Sequence, residues 1–109
     1  MEQIFIDRFI MPQSAKTEFM ERMAINRGMI KDLPGFIKDE AYGRTEETGD
    51  FICITVATWA SENALKSAKV LVQAEYQRQG FNMPAMLERL GIRMKRGQYH
   101  LLSDAEKGV

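Results

Sequence analysis

The chain has 109 residues, enough for one domain with a modest core. Lysine plus arginine and aspartate plus glutamate both number 15, so no net charge draws it towards nucleic acid or a charged membrane surface. Its apolar runs fall far short of the roughly 18 residues that a membrane span needs, Met1-Glu2-Gln3-Ile4 has no basic segment leading into an apolar one, and a lone cysteine, Cys53, excludes an internal disulfide. A reducing cytoplasm is the expected address.

Gln3 to Met11 alternates around Ile4, Phe5, Ile6, Phe9 and Ile10 and stops at Pro12, which predicts a first strand with Asp7 on the same face as Phe5 and Phe9. Ser14 is suited to cap a helix that runs to about Lys31, where Leu33-Pro34-Gly35 ends it. At helical spacing Ala15, Phe19, Met23, Asn26, Ile30 and Leu33 form one stripe. Asn26 is its odd member, because a buried amide needs partners. Phe36 to Arg44 reads as a second, more polar strand, and the turn Thr45 to Asp50 joins it as a hairpin to a third.

That third strand, Phe51 to Trp59, is uncharged and apolar on both faces, so it belongs in the middle of a sheet. Ile52, Ile54 and Val56 occupy one face. On the other, Cys53, Thr55 and Ala57 place three small side chains between the rings of Phe51 and Trp59. Either a hollow or a close-packed helix above that face accounts for their size.

Ser61 caps a long helix to about Gln79, broken by Gly80, with Ala64, Leu65, Ala68, Leu71, Val72, Glu75 and Tyr76 predicted inward. Glu75 in such a stripe marks a polar group with a purpose beyond packing. Asn82-Met83-Pro84 opens a short helix through Leu90, Gly91 closes it, and Ile92 to Leu102 is the fourth strand. Ser103 to Val109 is a polar tail, expected loose, beyond a single domain spanning 1–102. The order β-α-β-β-α-(α)-β predicts an α+β, ferredoxin-like domain whose four-stranded antiparallel sheet carries helices on one face. The Ile52/Ile54/Val56 face, joined by Ile4, Ile6 and Ile10, would then be exposed, which predicts a homodimer packed sheet to sheet.

Three stretches together resemble the antibiotic biosynthesis monooxygenase family of dimeric α+β barrel proteins. They are Ile4-Phe5-Ile6-Asp7-Arg8-Phe9, Leu33-Pro34-Gly35-Phe36, and Thr55-Val56-Ala57-Thr58-Trp59-Ala60-Ser61-Glu62-Asn63-Ala64-Leu65, and the likeness spans residues 3 to 102. The resemblance implies a homodimer built on the sheet faces, a pocket between sheet and helices, and oxygenation of a small aromatic or quinol-like compound with neither flavin nor metal. An acidic phenol or anthrone, once deprotonated, can itself pass an electron to O₂, so the protein must bind it, deprotonate it and exclude water. On this reading Trp59, Phe5, Phe9, Phe51 and Tyr76 supply walls. Asn26 and Glu75 supply polar contacts, and Asp7 and Trp59 are the catalytic pair, with Asp7 as base.

The pattern also departs from the family. Quinol-oxidising members place an asparagine four residues before the tryptophan, where this chain has Thr55. Haem-degrading relatives use a first-strand asparagine and a second-helix histidine, and the matching positions here are Asp7 and Lys69, which disfavours haem. The sole histidine, His100, has no partners at zinc-ligand spacing, and no phosphate loop, nucleotide fingerprint or Ser/His/Asp set is present. The basic cluster Arg93, Lys95 and Arg96 reads as a solvated strand. A non-catalytic dimeric domain that binds a small hydrophobic metabolite is the alternative.

Overall fold

A computed structural model describes residues 1–108. Its elements are β1 (Gln3–Met11), a 3₁₀ turn (Gln13–Ala15), α1 (Lys16–Ile30), β2 (Phe36–Thr45), β3 (Phe51–Trp59), α2 (Glu62–Gln79), α3 (Met83–Leu90) and β4 (Arg93–Tyr99). The strands form one antiparallel sheet in the order β2-β3-β1-β4, the ferredoxin-like arrangement that the sequence pattern predicts. No helix among the described residues is long and apolar enough to cross a membrane.

Local chemistry sets most boundaries. Ser61 caps α2 by accepting from the Ala64 N–H at 3.0 Å, and Asn82 does the same for Ala85 at 2.9 Å. Gly80 and Gly91 end α2 and α3 in the left-handed conformation. Ser14, in contrast, caps nothing. Pro12 starts a 3₁₀ turn, closed by the Ala15 N–H donating to the Pro12 carbonyl at 3.0 Å, and α1 begins uncapped after it. β4 stops at Tyr99, which pairs with Ile4 close to the beginning of β1, so His100 to Leu102 fall outside the strand expected there. Ser103 and Glu106 cap each other, the backbone N–H of each meeting the other's side chain at 3.0 and 3.2 Å. Val109 lies outside the described residues.

Strand register sorts the side chains into two faces. Beneath the helices lie Phe5, Asp7, Phe9 and Met11 of β1, opposite Ala57, Thr55, Cys53 and Phe51 of β3. Two separate core clusters form there. Phe9, Met11, Phe19, Met23, Phe51 and Cys53 pack with Met86, Leu87 and Ile92 at one end. Trp59, Leu65 and Ala68 pack with Phe5, Ile30, Leu33 and Phe36 at the other. The Phe51 ring lies across Gly43 of β2, where an added Cβ would collide with it, so the largest ring at the start of β3 is spent within the first cluster.

On the opposite face Ile4, Ile6 and Ile10 meet Thr58, Val56 and Ile52. This face is less open than the sequence implies. Ile52 is buried in the single chain, and Ile54 and Val56 are half-buried. Arg44 pairs with Ile52 and Arg93 with Ile10, so long aliphatic stems flank the central isoleucines in one row.

Gly35 fastens the α1-to-β2 turn. Its φ is +81°, its carbonyl accepts from the Ala60 N–H at 2.8 Å, and an added Cβ would overlap that of Ala64 in α2. Gly35→Ala is therefore expected to lower unfolding free energy by about 1–2 kcal/mol or more. Gly28→Ala, in α1 with open space around it, should raise it by about 0.5–1 kcal/mol. Urea midpoints for the two variants moving in the same direction would contradict this account.

Candidate functional site

Between the two core clusters, sheet and helices do not meet, and a cavity of about 680 Å³ opens there. β1 contributes Phe5, Asp7 and Phe9 to its floor, β3 contributes Thr55, Ala57 and Trp59, and β4 contributes Arg96. Met23, Asn26 and Ile30 of α1 roof one side, and Leu65, Ala68, Val72 and Tyr76 of α2 the other. Phe81 to Pro84, ahead of and within the first turn of α3, close one end. The volume falls within the roughly 300–1,000 Å³ of small-molecule pockets.

Asp7 is 8 % exposed and gripped from one side. Arg96 lies directly across the β1–β4 ladder and donates to both carboxylate oxygens, Nε to Oδ1 at 2.8 Å and Nη2 to Oδ2 at 2.9 Å. The hydrogen bond to Asp7 raises the Arg96 pKa further above its ordinary range. The same guanidinium carbon sits 4.8 Å from the centroid of the Phe5 ring, and Lys69 Nζ of α2 reaches to 5.0 Å from that centroid. The lone desolvated carboxyl that burial beside Phe5 and Phe9 would suggest is thus replaced by an ion pair.

Asn26 faces the cavity from the roof and is 7 % exposed, and its Oδ1 has no hydrogen-bond partner. A helix-to-sheet contact fixes α1 beside it, because Arg27 Nε donates to Asp39 Oδ2 of β2 at 2.5 Å. Trp59 is 3 % exposed, with Phe36 edge-on at 5.5 Å, so its ring is both core filler and cavity wall. Tyr76 meets Phe81 edge-to-face at 5.0 Å, and burial pushes its hydroxyl pKa up. The Arg22 guanidinium lies 3.5 Å over the Phe81 ring. Burial likewise raises the Cys53 thiol, an inert member of the first cluster.

The structure brings Phe5, Asp7, Phe9, Asn26, Thr55, Trp59 and Tyr76 together around this cavity and leaves out Phe51 and Glu75. Phe51 packs on Gly43 with Lys16 Nζ 4.2 Å from its ring centroid. Glu75 lies on the flank of α2, where Arg78 and then Gln79 hold its carboxyl down at about 2. The α2 phase explains this. Lys69, Gln73 and Gln77 face the cavity on the side of Val72 and Tyr76, while Leu71, predicted inward, is 46 % exposed on the other. Arg96, read from the sequence as part of a solvated cluster, is exposed as that reading has it, yet it lies on the face of Met94 and meets Asp7 across the ladder.

No family model matches the sequence, and no curated protein matches it. The fold is shared with solved structures over nearly the whole chain, and its neighbours include antibiotic biosynthesis monooxygenase-like proteins. SnoaB, a cofactor-independent oxygenase from Streptomyces nogalater, superposes with a TM-score of 0.68 at 19% identity, covering 94% of each chain. A dimeric ferredoxin-like protein from an uncultured marine organism gives 0.72 at 6% identity, covering 94% of this chain and 97% of that one. A candidate antibiotic biosynthesis monooxygenase from Deinococcus radiodurans gives 0.68 at 9% identity over 93% of each. At these identities the likeness is one of fold.

Asn26 carries an unpaired buried acceptor, so removing it should stabilise the free protein. Asn26→Leu is expected to add about 1 kcal/mol or more to unfolding free energy, read as a higher Tm. A loss of stability would mean that the amide is satisfied within the protein.

Proposed function

We propose that the protein is a monooxygenase-like enzyme that oxidises a small aromatic or quinol-like compound in this cavity without a bound cofactor. The observation that carries the reading is the cavity's composition. The flat apolar walls of Trp59, Phe5 and Phe9 suit a ring system, and an orphaned amide and an ion pair stand at its edges. Neighbours of the same fold named as a cofactor-independent oxygenase and as a candidate antibiotic biosynthesis monooxygenase support it.

The chemistry asks little of the protein. A substrate whose methylene is acidified by a neighbouring ring or carbonyl loses a proton to a base. The carbanion passes one electron to O₂, the radical and superoxide combine into a peroxide anion, and the proton taken by the base returns to give the hydroperoxide. Loss of water leaves a carbonyl, so that CH₂ and O₂ become C=O and H₂O. Asp7 receives the first proton. Arg96, bound to the same carboxylate, offers positive charge beside the oxyanion that develops. Trp59 keeps the ring flat against β3 and bulk water out. Asp7→Asn should lower turnover by about 10²–10⁴-fold with little effect on substrate binding. Oxygen uptake with a panel of anthrones and hydroquinones tests the reading: rates equal to the uncatalysed reaction at several pH values would discard it.

A second reading, a binding domain without catalysis, is favoured by the two occupied oxygens of Asp7 and by Thr55 on the floor. It predicts ligand binding with no oxygen consumed.

The protein acts as a homodimer on this reading, packed through the face of Ile4, Ile6, Ile54 and Val56. The dimeric neighbour of the same fold supports that arrangement. Ile6→Asp should shift sedimentation from dimer to monomer, and a wild-type protein that sediments as a monomer at micromolar concentration would overturn the pairing.

A further inference from the structure

Two hollows in this molecule share one side chain. The cavity of about 680 Å³ lies between sheet and helices, and a shallower groove of about 520 Å³ lies outside it, between α1 and α3. Among the described residues only Phe81 and Asn82 border both. Asn82 is committed to capping α3, with its Oδ1 accepting from the Ala85 N–H. The ring of Phe81 is therefore what separates the two spaces. Tyr76, which lines the cavity alone, meets that ring edge-to-face, and Arg22, which lines the groove alone, lies over it.

Local backbone chemistry holds the ring in place. Phe81 follows the left-handed Gly80 that ends α2, and its N–H donates to the Tyr76 carbonyl at 2.9 Å. This is the 6→1 bond of a Schellman turn, which sets the side chain after the glycine against the last turn of the helix. The same residue precedes the Asn82 cap of α3, and its ring packs on the first core cluster, which contains Met86, the fourth residue of that helix. Either contact asks only for an apolar group. Closing the gap between two hollows asks for a wide one.

We infer that Phe81 is the specificity-determining residue of the cavity: its ring sets the longest ligand accepted, and the groove behind it is the room that a ring bearing an extended alkyl substituent would enter if that side chain were smaller. The inference rests on the ligand-binding reading above and adds to it a limit on ligand length.

Equilibrium binding of a homologous series tests it apart from turnover. The probes are 4-n-alkylnitrobenzenes from methyl to octyl, neutral arenes whose nitro group quenches the fluorescence of the sole tryptophan, Trp59, on the cavity wall. In the wild type each added methylene should tighten binding by about fourfold until the chain meets the ring, and later ones should add nothing. Phe81→Ala should extend that rise by about three methylenes, the reach of the ring removed. Phe81→Leu, which keeps an apolar group against both helix ends and so guards against loss of the fold, should extend it by fewer. Ala85 borders the groove and not the cavity. Ala85→Trp alone should leave the wild-type limit where it is, and combined with Phe81→Ala it should cancel the extension. One limit shared by the wild type, Phe81→Ala and Phe81→Leu overturns the inference and leaves the cavity as a ligand site, and so does an extension that persists in the double variant. Quenching by no member of the series in any of these proteins overturns the ligand-binding reading as well.

Discussion

Two aromatic clusters hold the helices away from the middle of the sheet, and the rest of the structure follows from that separation. At one end Phe9 and Phe19 meet at 4.7 Å with Phe51 beside them, and at the other Trp59 and Phe36 are stacked edge-on. Between them β3 offers only Thr55 and Ala57. Large groups set the spacing between layers, and small groups between them cannot fill it. A close-packed core tolerates few voids larger than a water molecule, so a space of this size reflects where the large side chains were placed and not a packing accident.

The polar groups occupy that gap because it is the one place where they are compatible with the core. Asp7 and Arg96 face each other across β1 and β4, so strand register alone brings the pair into bidentate contact. Neither has to be stripped of water without a partner, which would cost several kcal/mol. Asn26 has no such partner, and α1 holds it one turn beyond Met23 of the first cluster. Packing that anchors the helix thus also positions an amide that the packing itself does not need.

The fold was legible because its signals are local: alternation in β1 and β3, caps at Ser61 and Asn82, and left-handed glycines after α2 and α3. The site was legible where it lies on strands, since period-two alternation fixes a face without ambiguity, as with Phe5, Asp7, Thr55 and Trp59. It was less legible on α2, where a stripe drawn through Leu71 and Glu75 is rotated from the real one through Lys69, Val72 and Tyr76. Alanines on both flanks of that helix weaken the periodic signal. The Asp7–Arg96 pair needs strand pairing between residues far apart in the chain, and no local pattern reports that.

Phe81 follows the last turn of α2 and belongs to neither sheet nor helix, yet it ends the cavity, clasped between the guanidinium of Arg22 and the ring of Tyr76. Its backbone is tied by its own N–H to the Tyr76 carbonyl at 2.9 Å. The chamber therefore has a stopper carried on a connecting segment, while its walls are carried on the framework. A larger or smaller residue at that one position would shorten or lengthen the space available to a guest without disturbing the sheet, so descendants of this scaffold could change which molecules they admit while keeping every strand in register.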